Sequence, residues 1–228
     1  MTTISPHGIA RYIQHTLIAA DSTSEQMARH AGEAAQYGFN AAMVPGSWVP
    51  LVARELAGTG VLVASALDFP VVGTMTSAGK AFEAGELARL GASQIDIGVQ
   101  IGWLKSGMHD EFREDIAGVV RAAGVPIKVM LELPLLTAQE QAIAVELSIE
   151  AGATYLKNAS SGAIETANPK SIAWLVERAG GRALVKASGA IKSFDQVVSL
   201  ITAGASLVGT SAGVAIVVGA PDSATVSY

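Results

Sequence analysis

Along the chain, short runs of apolar and β-branched residues alternate with longer segments whose apolar positions recur at helical spacing. Glycine or proline punctuates most of the joins. The short runs predict eight strands, near 15–18, 40–44, 61–67, 94–99, 127–133, 154–158, 183–188 and 206–209. Between them, helices are predicted at 24–36, 47–57, 76–90, 109–123, 137–151, 168–179 and 193–203, with a short last one from about 212. Ser24, Thr76 and Ser193 are candidate N-caps, and Thr137-Ala138-Gln139-Glu140 reads as a capping box. Gly38, Gly91, Gly152 and Gly204 follow the last periodic residues and are expected stops.

A strand–helix unit repeated eight times predicts an α/β fold, the parallel (β/α)8 TIM barrel. An open doubly wound sheet is the alternative, but no G-x-G-x-x-G follows the first strand. No linker or low-complexity stretch divides residues 1–228, so one barrel domain is expected. Residues 221–228 form a polar tail, expected to be mobile.

Polar residues interrupt the strand pattern on one side only. Side chains alternate along a strand, so Gln94, Asp96 and Gly98 share a face, as do Lys128, Met130 and Glu132. Lys157 shares a face with Tyr155, and Lys186 with Leu184 and Ser188. In a barrel the apolar set faces the helices, which points Asp96, Lys128, Glu132, Lys157 and Lys186 inward. A buried ammonium is costly unless it is paired or gives up its proton, and a lysine that gives up its proton is an amine nucleophile. A buried ion-pair network without chemistry accounts well for Lys128 and Glu132. Lys157 and Lys186 instead lie near the C-terminal ends of their strands, where barrel active sites sit. With Asp96 they suggest Schiff-base chemistry on a carbonyl compound. Lys80, Lys105, Lys170 and Lys192 read as solvated loop or helix-surface residues. His15 reads as a core histidine, and Trp48, Trp103 and Trp174 as packing residues.

Composition narrows the picture further. Half of the 228 residues are hydrophobic, enough for a sizeable core, and the formal charge is −5. That balance gives no reason to expect nucleic acid or an anionic membrane as partner. The absence of cysteine excludes disulfides, thiolate metal sites and cysteine nucleophiles. No clustered histidine set offers a metal site. The first residues lack a basic segment followed by an apolar stretch, and no apolar run reaches the ~18 residues of a membrane helix. A soluble cytoplasmic protein is expected.

Several segments resemble the deoxyribose-phosphate aldolases, a family of class I aldolases. Ile13-Gln14-His15-Thr16-Leu17-Ile18 resembles the family's first strand. Phe69-Pro70 with Lys80-Ala81-Phe82-Glu83-Ala84 resembles its third unit, and Gln94-Ile95-Asp96-Ile97 its fourth strand. Ile101-Gly102-Trp103-Leu104-Lys105-Ser106-Gly107, Lys128-Val129-Met130-Leu131-Glu132, Tyr155-Leu156-Lys157, Val185-Lys186-Ala187-Ser188-Gly189 and Gly209-Thr210-Ser211-Ala212-Gly213 follow in order at the right spacing. Each is weak alone; together they are specific.

The resemblance implies a TIM barrel that reversibly cleaves 2-deoxyribose 5-phosphate to acetaldehyde and glyceraldehyde 3-phosphate, without metal or organic cofactor. It implies Lys157 as the Schiff-base lysine, Lys186 as the second lysine whose charge keeps the first nucleophilic, and Asp96 as the carboxylate of the proton transfer. Expected substrate-binding residues are Gln14, Lys128, Glu132, Ser161, Gly162, Ser188, Gly189, Ala190 and Ser211. Tyr228 is a candidate contact from the tail. Relatives are often dimers, so a homodimer is expected.

The departures from the family cluster around the lysines. Gln14 replaces the usual Asp. The loop after Lys157 reads Asn158-Ala159-Ser160-Ser161 where the family reads Thr-Ser-Thr-Gly, and Ala190 replaces the second glycine after Lys186. Leu207 stands in place of an Arg, and Met43-Val44-Pro45-Gly46 in place of Cys-Val-Asn-Pro. A Cβ at Ser161 or Ala190 narrows the approach of a phosphate to the backbone. Two alternatives follow: an aldolase for a different, non-phosphorylated acceptor, and a non-catalytic barrel acting as a binding protein.

Overall fold

The computed structural model describes residues 6–219. Eight parallel strands close into a barrel in sequence order, and the last pairs with the first. They are β1 Ile13–Thr16, β2 Ala41–Val44, β3 Leu62–Leu67, β4 Gln94–Gly98, β5 Ile127–Met130, β6 Tyr155–Lys157, β7 Leu184–Ser188 and β8 Leu207–Thr210. The helices are α1 Pro6–Ala10, α2 Ser24–Tyr37, α3 Val49–Glu55, α4 Ser77–Arg89, α5 Ile101–Lys105, α6 His109–Ala123, α7 Ala138–Glu150, α8 Pro169–Ala179, α9 Phe194–Thr202 and α10 Gly213–Val218.

The sequence missed α1 and α5, both only five residues long. A single helical turn leaves too few apolar positions to show a period. It set β1 two residues late, because Leu17 and Ile18 continue the apolar run beyond the ladder. It also ran β5 on to residue 133. The strand ends at Met130, because Glu132 adopts a left-handed φ of 51° and Pro134 follows in a 3-10 turn.

The helix starts are set locally. The cap of α2 is Thr23 rather than Ser24: Gln26 N donates to Thr23 Oγ1, and Thr23 N donates to Gln26 Oε1 at 2.7 Å. Thr137 and Glu140 form the predicted capping box on α7, while Thr76 and Ser193 cap α4 and α9. Each such cap contributes about 1 kcal/mol.

The two faces of the sheet carry different chemistry. Ile95, Ile97, Val129, Leu156, Val185 and Val208 face the helices and are buried in the main core. Each contributes roughly 1.5–3 kcal/mol by burial. Inside the barrel, Ala41, Met43 and Ala64 form a separate small apolar cluster with Leu62 and Ala66.

Lys80 overturns its expected solvation. It is fully buried, with Nζ 2.7 Å from Asp115 Oδ2, 3.1 Å from Asp68 Oδ2 and donating to the Gly98 carbonyl at 2.8 Å. The helical period of α4 put Lys80 at a polar position, but α6 covers that face with Asp115. Asp68 in turn accepts from Gly73 N, Thr74 N and Met75 N, and so orders the loop after β3. Breaking a buried pair of this kind costs roughly 3–5 kcal/mol.

Candidate active site

A cavity of about 470 Å³ opens at the C-terminal ends of the strands, with Asp96, Lys157 and Lys186 in its lining. Register alone brings the two lysines together: Lys157 pairs with Lys186 across β6 and β7, and Asp96 with Lys128 across β4 and β5. Asp96 reaches across between them. Its Oδ2 lies 3.0 Å from Lys157 Nζ and 2.6 Å from Lys186 Nζ, and its Oδ1 lies 3.1 Å from Lys128 Nζ.

Three amines thus surround one carboxylate in a nearly closed interior. Asp96 and Lys128 are 0% exposed, Lys186 1% and Lys157 5%, so Lys157 is the amine most open to an incoming molecule. Burial drives Lys186 well below the usual lysine range. The Asp96 charge opposes that shift, and Lys157 and Lys128 reinforce it. Burial likewise lowers Lys128 against the pull of Asp96. Burial pushes the Asp96 carboxyl up, but the ammoniums of Lys186, Lys128 and Lys157 outweigh it and hold Asp96 ionised. One carboxylate cannot fully compensate three buried amines, and burial favours the neutral form of Lys186 and Lys128. A buried ion network without chemistry would give no reason for the most exposed amine to border an open cavity.

The cavity gathers most of the expected binding residues. Ser161, Gly162, Ser188, Gly189, Ala190 and Ser211 line it, together with Lys192 at its rim. Ala190 holds a left-handed φ of 51°, a strained state for a residue with a Cβ, costing roughly 1–2 kcal/mol. A Cβ on Gly162 would come within 2.9 Å of the Ala190 Cβ and N. The close approach that requires a glycine therefore falls at Gly162, one residue beyond Ser161.

Gln14, Lys128 and Glu132 lie outside the lining. Gln14 donates to Gln94 Oε1 at 2.7 Å and Asn40 Oδ1 at 3.2 Å within the barrel floor. Lys128 stands behind Asp96, 5.8 Å from the Tyr155 ring. Because the chain turns at Glu132, its side chain leaves the Lys128 face, and Oε1 accepts from Ser160 N at 2.9 Å. Burial raises the Glu132 carboxyl above its ordinary range. Tyr228 lies outside the described residues.

Sequence reasoning missed Thr16, Phe69, Ser160 and Thr210 in the cavity wall. Strand alternation from Gln14 points to Thr16, whereas Phe69 and Ser160 sit in loops without any period. A histidine cluster was also missed. His15, His30 and Glu33 offer ligand atoms within 4.8 Å of one another. They lie behind β1, on the face opposite Gln14 and Thr16, away from the cavity. His15 Nε2 meets Glu33 Oε2 at 3.1 Å, and His30 Nε2 meets the His15 carbonyl at 3.1 Å. Burial holds His30 down at about 3, so its ring is neutral and donates to that carbonyl. These contacts tie α2 to β1.

Among the described residues, no helix is long and apolar enough to cross a membrane. No family model matches the chain. Curated relatives do. A deoxyribose-phosphate aldolase of Methanothermobacter thermautotrophicus is 40% identical over 212 residues, 92% of this chain and 94% of the relative. The deoxyribose-phosphate aldolase of Brevibacillus brevis is 39% identical over 211 residues, 92% of this chain and 95% of its own. Among solved structures, the tetrameric deoxyribose phosphate aldolase of Aeropyrum pernix superposes with a TM-score of 0.86 at 28% identity, covering 94% of this chain and 92% of that one. An aldolase designated QR15 gives 0.85 at 28% identity, over 92% and 95%.

Proposed function

The chain belongs to the deoxyribose-phosphate aldolase family, and from that premise we propose that it reversibly cleaves 2-deoxyribose 5-phosphate to acetaldehyde and glyceraldehyde 3-phosphate. The observation that carries the chemistry is the Asp96 carboxylate between the Lys157 and Lys186 amines at the cavity floor.

In this reading the Lys157 amine attacks C1 of the open-chain sugar, and loss of water gives an iminium. A base removes the proton of the C3 hydroxyl, the C2–C3 bond breaks, and its electron pair flows into the iminium. Glyceraldehyde 3-phosphate leaves and an enamine remains on Lys157. Protonation of the enamine carbon and hydrolysis release acetaldehyde and restore the amine. Asp96, with Lys186 beside it and a water molecule, moves the proton between imine and enamine. The iminium itself withdraws the electrons, so this route calls for no metal or organic cofactor.

The polar rim supports a phosphorylated substrate. Lys192 lines the cavity beside Ser211, Gly162 and Gly189, is exposed, and has no ion-pair partner among the described residues. A cation at this rim compensates for the Arg replaced by Leu207. The test compares kcat/KM on 2-deoxyribose 5-phosphate with that on 2-deoxyribose, in the native chain and in Lys192→Met. The native chain should strongly prefer the phosphate. Lys192→Met should raise KM for the phosphate about 10-fold, the worth of one charge-assisted contact, and leave deoxyribose unaffected. Equal rates on both sugars would contradict the phosphate reading. We place the protein in the cytoplasm as a homodimer, and a monomeric mass by light scattering would contradict that assembly.

A further inference from the structure

Asn158 follows Lys157 directly and is completely buried, at a position where the family reads Thr. β6 has ended by then, and the backbone ladder to β7 closes with the Lys157–Lys186 pair. The Asn158 side chain continues that ladder. Its Oδ1 accepts from Ser188 N at 2.9 Å and its Nδ2 donates to the Ser188 carbonyl at 2.9 Å, as a peptide group on a neighbouring strand would. The second Nδ2 proton goes to Glu165 Oε2 at 2.8 Å. Glu165 is held by its other oxygen, which accepts from Asn168 Nδ2 at 2.9 Å, and Asn168 caps α8. The two bonds to Ser188 settle which end of the amide is oxygen. A threonine hydroxyl has one O–H and one oxygen, and cannot span both Ser188 groups while also meeting Glu165.

What this amide fixes is catalytic geometry. Ser188 lies two residues after Lys186 and lines the cavity. The segment beyond it is locked to the same loop: Ala167 N donates to the Gly189 carbonyl at 3.0 Å, and a Cβ on Gly189 would lie 2.0 Å from the Glu165 carbonyl oxygen. Only glycine fits there. We propose that Asn158, oriented by Glu165, is a positioning residue that sets the spacing of Lys157 and Lys186 and clamps the polar rim of the cavity. The proposal rests on the aldolase reading.

The test uses Asn158→Ala and Glu165→Ala in the full chain, with two readouts. One is the rate at which borohydride traps acetaldehyde on Lys157, measured across pH. The other is kcat and KM for 2-deoxyribose 5-phosphate. A misplacement of about 1 Å costs on the order of 10²-fold, so Asn158→Ala should lose about that much in kcat/KM, with KM raised. The pH dependence of trapping should shift as the two amines separate. Glu165→Ala, which removes a half-buried side chain outside the cavity lining, should change both readouts in the same direction but less. If Asn158→Ala does not fold, Glu165→Ala decides. A variant that melts earlier yet keeps the native KM, kcat and trapping profile would overturn the proposal. A native chain that traps acetaldehyde but does not cleave the sugar phosphate would defeat the substrate reading alone, and the trapping comparison would still judge Asn158.

Discussion

Lys157→Met should abolish cleavage, lowering kcat by on the order of 10⁴-fold or more, while leaving the protein at least as stable as the native chain. The loss follows from the chemistry: without the amine no imine forms, and the remaining groups retain only the background that positioning gives. The stability follows from charge. Lys157 is one of three amines around a single carboxylate with almost no solvent contact. Methionine fills nearly the same volume without charge, and Asp96 keeps the Lys128 and Lys186 amines as partners, so no buried charge is left uncompensated. Steady-state cleavage and urea denaturation on the same preparation check both halves. Residual activity near the native level would remove Lys157 from the mechanism. A large loss of stability would mean that the cluster needs its third amine.

Asp96→Asn should do the opposite to stability and nearly as much to rate. The amide can still accept a hydrogen bond but cannot exchange a proton, so kcat should fall on the order of 10²–10⁴-fold. It also leaves Lys128, Lys157 and Lys186 without a counter-charge, a loss of roughly 3–5 kcal/mol at neutral pH. The folded-state Asp96 titrates below its unfolded value, so its contribution is present above the ordinary carboxylate range and disappears as acid protonates it. Lys186 is depressed by burial and partly restored by Asp96, so removing the carboxylate lowers it further. Protonation of the folded variant is then harder than that of the unfolded chain. Its stability should therefore climb as pH rises towards the ordinary lysine value. Denaturation curves across pH test this; a stability that falls as pH rises towards that value would contradict the assigned coupling.

Much of this site could be read from strand periodicity. Period-two alternation put Asp96, Lys128, Lys157 and Lys186 on interior faces because each breaks an otherwise apolar run, and parallel register in a closed barrel did the rest. Glu132 escaped because a single left-handed residue ends the alternation, and no residue type at that position announces it. Lys80 escaped for a different reason. The period of α4 shows which face is polar, but only packing shows that Asp115 of α6 and Asp68 cover it. The rim was legible as a set of departures from the family. How they fit was not: Ala190 is accommodated by Gly162, and Asn158 takes on bonds to Ser188 and Glu165 across loops whose path the sequence does not encode locally.

In the proposed mechanism Lys157 is the amine that forms the imine. Sodium borohydride added to the native chain with acetaldehyde reduces any imine to a stable secondary amine, and peptide mass spectrometry then locates it. A two-carbon adduct, an N-ethyl group, is expected on Lys157, with Lys186 and Lys128 unmodified and with activity lost in proportion to labelling. An unmodified Lys157 under conditions where the enzyme turns over, or an adduct on Lys186 instead, would contradict it.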